Sequence, residues 1–91
     1  MDRLAAVVDY IKVLAASLDT TTFAGDRAAY ERHLAAAARL VPLVAQAADE
    51  REIDAWVQSE ERHFGLGYLS DMEGEQAESA FAQLRAALSG T

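Results

Sequence analysis

Apolar side chains recur at Leu4, Val7, Ile11, Leu14 and Leu18, at spacings of three, four, three and four. A backbone that turns once every ~3.6 residues brings such a series onto one face, so the first segment reads as a helix with a face to bury. The same rhythm returns in Tyr30, Leu34, Ala37, Val41 and Val44, then in Ile53, Trp56, Val57, Glu60 and Phe64, and again in Ala77, Phe81, Leu84 and Leu88. No useful stretch alternates with the period of two that a half-buried strand needs. The sequence therefore predicts an all-α fold. Short connections between the stripes favour a compact bundle of about four helices, mostly antiparallel.

The 91 residues make one small domain, 1–91. Alanine carries much of the hydrophobic content. Leu, Ile, Val and Phe together number only 21, so the core must be thin. Alanine is the best helix former and lets helices approach closely.

The punctuation between stripes places the helix ends. Asp2 stands where the helix dipole favours an acid. Asp19-Thr20-Thr21-Thr22 offers the backbone competing hydrogen bonds and ends the first helix as a turn. Helix two begins between Thr22 and Asp26, with Asp26, behind Gly25, as the preferred N-cap. Pro42 falls inside its stripe. A proline there either kinks a helix that runs on to about Ala48 or breaks it and opens a new short one. The continuing periodicity favours the kink. Asp49 caps helix three, with Glu50 and Glu52 in its first turn. That helix stops near Phe64, with Gly65 placed for a C-cap. Ser70-x-x-Glu73 forms a capping box for a fourth helix over about Asp71 to Leu88.

The charge is uneven. Residues 1–48 carry five acids and five bases, whereas residues 49–91 carry ten acids and three bases, so the whole −7 lies in the second half. A nucleic-acid backbone requires a basic patch and is not an expected partner. A basic protein partner, or plain solubility, suits the acidic half. There is no cysteine, which removes disulfides, thiolate metal sites and a cysteine nucleophile. No apolar run approaches the ~20 residues of a membrane helix, and Asp9 and Lys12 interrupt what would be a signal segment. A cytoplasmic location is the expectation, with no membrane partner.

Glu60 and His63 form Glu-x-x-His, the spacing by which carboxylate-bridged metal bundles bring two ligands from one helix turn onto one ion. With His33 they could complete a mononuclear site, provided helices two and three meet at that height. The structural alternative is that His63 complements a helix C-terminus and His33 flanks the core. Glu60 sits between Trp56 and Phe64, where burial would push its carboxyl up. Otherwise it pairs with an arginine or reaches solvent at the stripe's edge. Gly65-x-Gly67 follows a helix rather than a strand and lacks a third glycine, so it is no dinucleotide fingerprint, and no cofactor is expected.

Phe64, Leu66, Tyr68 and Leu69 surround the end of helix three. They either fold back to close the bundle or stand out as anchors for a partner. Helix one offers a second surface: Tyr10 and Val13 flank its main stripe, and a homodimer through this helix competes with coverage of both flanks by neighbouring helices. These features favour a non-catalytic interaction module (a regulator, an adaptor or a toxin-neutralising protein) over a metal-binding protein or enzyme centred on Glu60 and His63, and over a structural homo-oligomer subunit.

Overall fold

A computed structural model gives four helices: α1 (Arg3–Thr20), α2 (Ala24–Ala45), α3 (Glu50–Gly65) and α4 (Asp71–Leu88). It describes residues 2–46, 49–65 and 71–89, and of 71–74 the backbone alone. Among the described residues there is no strand. None of the helices is long and apolar enough to cross a membrane.

Side-chain ties fix the directions. The Arg3 guanidinium, at the start of α1, donates to the Leu88 carbonyl at the end of α4 at 2.6 Å, so these two helices run antiparallel. It also pairs with Glu50 at the start of α3 at 2.8 Å, so α1 and α3 run the same way. The Trp56 indole N–H donates to the Ala36 carbonyl at 2.8 Å while Glu60 meets His33, so α3 runs antiparallel to α2; Arg3 brings the start of α3 beside the end of α4, so these two are antiparallel as well. The result is an up-down-up-down bundle in which α1 packs along α2 and α4.

The core draws on all four helices. Val7, Tyr10 and Leu14 come from α1, Tyr30, Ala37 and Leu40 from α2, and Ile53 from α3. Ala77, Phe81, Leu84 and Leu88 come from α4. Burying these side chains is the main favourable term holding the domain together.

The buried arc of α1 is rotated from the expected stripe. Ala6, Val7, Tyr10, Leu14 and Ser17 are buried, while Leu4 is 36% exposed and Ile11 and Leu18 are half-buried. Tyr10 is thus a core residue and not a flank residue. The cause is position: neighbours on two sides cover an arc centred between the Tyr10 and Leu14 directions, whatever the sum of apolar side chains would choose.

The helix ends show where local rules held. Asp2 caps α1 by accepting the Leu4 N–H, and Asp49 caps α3 by accepting the Arg51 N–H at 2.9 Å. The turn after α1 is closed by Thr21, whose hydroxyl donates to the Ser17 carbonyl at 2.6 Å. Arg27 donates to the Leu18 and Thr21 carbonyls, covering the orphan acceptors at the C-terminus of α1. Asp26 is not the N-cap of α2. Phe23 holds that position with no side-chain hydrogen bond, and Asp26 is buried within the first turn. The helix begins three residues earlier than an Asp26 cap would place it, and Arg27 in its first turns is tied to the end of α1. α2 continues through Pro42 to Ala45, where the Gln46 N–H bonds to the Pro42 carbonyl at 3.0 Å. The break with a new helix at Pro42 is therefore not what forms. Gly65 is the last residue of α3. The capping box at Ser70 and Glu73 lies outside the described residues.

Candidate functional site

α2 buries a face of small residues with one histidine set among them. Ala29, Ala36 and Ala37 are buried with Leu40 on the same face, and His33 stands among them at 3% exposure. Across the seam, α3 presents Glu60, flanked one turn before by Trp56 and one turn after by Phe64. The bond from Trp56 to the Ala36 carbonyl fixes the height at which the helices meet, and at that height His33 faces Glu60.

Glu60 is 2% exposed. One carboxylate oxygen, Oε1, lies 2.9 Å from His33 Nδ1, and the other, Oε2, lies 3.0 Å from His63 Nδ1. An ionised carboxylate only accepts hydrogen bonds. Each imidazole therefore donates its Nδ1–H, and the carboxylate fixes the proton position on both rings. Burial, the largest single influence, pushes the Glu60 carboxyl up; the hydrogen bonds and positive potential of the two histidines together outweigh it and hold the group below the usual glutamate range. Neither sequence-based alternative for Glu60 is what forms: its carboxyl is not raised. Neither an arginine nor solvent is the partner.

Aromatic rings enclose the cluster. Phe64 stacks on His33 with centroids 4.3 Å apart and planes 12° from parallel, and its other neighbour is Phe81 at 4.9 Å. The Tyr10 ring approaches Phe81 at 6.1 Å. Its hydroxyl is buried with no hydrogen-bond partner. Burial first, and the Glu60 charge second, push the phenol far above its ordinary range, so Tyr10 stays neutral.

The three residues expected to act together are therefore brought together: His33, Glu60 and His63 form one hydrogen-bonded chain linking α2 to α3. Among the described residues, no three His, Cys, Asp or Glu side chains are spaced to hold a metal ion. Chemically, the arrangement orients two imidazoles on a buried carboxylate. His63, with 38% of its side chain exposed, is the member nearest solvent. Two cavities among the described residues open elsewhere, between α1 and α4, and none of the cluster residues lines either. Phe64 is half-buried and engaged inside the bundle by its two ring contacts. Leu66, Tyr68 and Leu69 lie outside the described residues. Sequence reading missed Tyr10 as a neighbour of this site. Its signal was present in the spacing from Leu14, four residues on, which shares its buried face.

No protein-family model, no curated protein and no solved structure matches the chain, so its geometry carries the functional reading that follows.

Proposed function

We propose that this chain is a non-catalytic, acidic interaction domain that binds another protein, with the His33–Glu60–His63 cluster serving as the internal joint that holds α3 to α2. One observation carries the reading. In the acidic second half, every acid whose side chain is described lies on the surface (Asp49, Glu50, Glu52, Asp54, Glu61, Glu75 and Glu78) except Glu60, which is turned inward onto two histidines. The group best suited to chemistry is thus engaged in structure, while the excess charge is displayed. A displayed single-sign field steers and selects an oppositely charged partner.

The test is capture of partners by the tagged protein from the lysate of its own host, at low and moderate salt, read by mass spectrometry. The expected result is a stoichiometric basic protein whose retention falls as salt rises, because screening weakens contacts between exposed charges. No partner at either salt would contradict the reading.

A further inference from the structure

Two cavities between α1 and α4 share Val13, Ala80 and Gln83 and so form one continuous groove along the outer side of this helix pair. Its floor is apolar: Ala6, Tyr10 and Val13 from α1, and Ala80 and Leu84 from α4. Gln76, Ser79 and Gln83 form the wall on α4, and the two charged residues at its edges, Asp9 and Glu75, are both acids. We infer that this groove is a docking site for a basic amphipathic helix of a partner protein, one that lays alanine-sized and aliphatic residues on the floor and Lys or Arg against Asp9 and Glu75. This rests on the interaction reading above and names the surface that serves it.

The shape points to a helix. A channel between two antiparallel helices is bordered by ridges at three- and four-residue spacing, which a third helix can interdigitate. Ala6 and Ala80 leave room for its side chains between the larger floor residues, and amides and a hydroxyl on the wall supply the polar rim that interfaces use. Charge selects the partner. A second copy of this chain would bring Asp9 and Glu75 against acids of a molecule that itself carries −7, and like-charge juxtaposition opposes that pairing. A cationic helix meets no such opposition.

The probe is a short synthetic helix with Ala and Leu on one face and Lys on both flanks, added to the isotope-labelled protein and followed by amide chemical shifts. Two controls accompany it: the same peptide with Glu for Lys, and the Lys peptide with its order scrambled. The expected result is saturable shifts confined to the backbone around Val13, Ser79, Ala80 and Gln83, from the patterned Lys peptide alone. Ser79→Arg, at an exposed position, and Ala80→Arg should each weaken binding by about tenfold or more, a loss typical of an interface centre. Glu52→Arg, on α3 and away from the groove, should change it little. Equal binding of the scrambled peptide, equal loss in Glu52→Arg, shifts spread over the acidic face, or concentration-dependent self-association through the groove would each overturn the proposal. If the partner captured from lysate is retained equally by Ser79→Arg, the interaction reading stands and the groove falls. If wild-type protein captures nothing, the interaction reading itself falls.

Discussion

The seam between α2 and α3 and the seam between α1 and α4 solve the same problem by different chemistry. At α1–α4 the buried contact is apolar: Val7, Tyr10 and Leu14 share one core with Ala77, Phe81, Leu84 and Leu88. At α2–α3, small alanines admit a polar chain of two histidines and a glutamate, closed by the tryptophan bond to a backbone carbonyl. An apolar seam loses stability in proportion to the volume removed. A buried carboxylate seam depends on its partners, because removing His33 or Glu60 leaves the other polar group short of a partner away from water. The comparison predicts different responses to single and paired substitutions.

The largest single effect is expected at Glu60. Glu60→Ala leaves the buried His33 donor facing a void and should cost about 3–5 kcal/mol in chemical denaturation, the range for breaking a buried pair. Leu14→Ala at the apolar seam should cost about 2–5 kcal/mol, set by how far the site can collapse. The smaller the relaxation around Leu14, the closer the two values.

The pH profile sharpens the comparison further. The folded Glu60 carboxyl lies below its ordinary value of 4.5. Its contribution is therefore complete above that value and is lost as pH falls through the folded one. Wild-type protein should lose stability in acid more steeply than Glu60→Gln, with the two curves converging at low pH, as read from urea midpoints across an acid series. Parallel curves would show that the carboxylate is not held by the histidines. The smallest effect is expected at Tyr10. Tyr10→Phe removes a buried hydroxyl that has no partner, so the melting temperature should stay level or rise slightly, by no more than about 1 kcal/mol in stability. A clear loss would reveal a hydrogen bond that Tyr10 makes in solution.

Much of the fold could be read from spacing. The four stripes yielded four helices because each helix has one buried arc, and Asp49 announced the start of α3 through a cap whose geometry is local. What the stripes could not supply was the direction of each arc. α1 is covered from two sides, so Leu4 lies at an edge and Tyr10 in the core. Asp26 looked like a cap and is buried in the first turn, since the docking of α2 on α1 is a tertiary fact.

The candidate site was half legible. Glu60 and His63 are linked by helix geometry alone, at three residues apart. His33 joins them only through which faces of α2 and α3 meet, and spacing along one helix does not carry that. Reading Glu60 as a carboxyl raised by burial counted desolvation without the partners that reverse it.

The most direct test of the joint is a double-mutant cycle on His33 and Glu60, with wild type, His33→Leu, Glu60→Leu and the double variant unfolded in urea at neutral pH. If the two residues act as one buried polar tie, each single variant is strongly destabilised. The double variant then recovers part of the loss, with a coupling of about 1–3 kcal/mol. Simple additivity, with the double variant losing the sum of the two single losses, would contradict the assignment of His33 and Glu60 as the joint between α2 and α3.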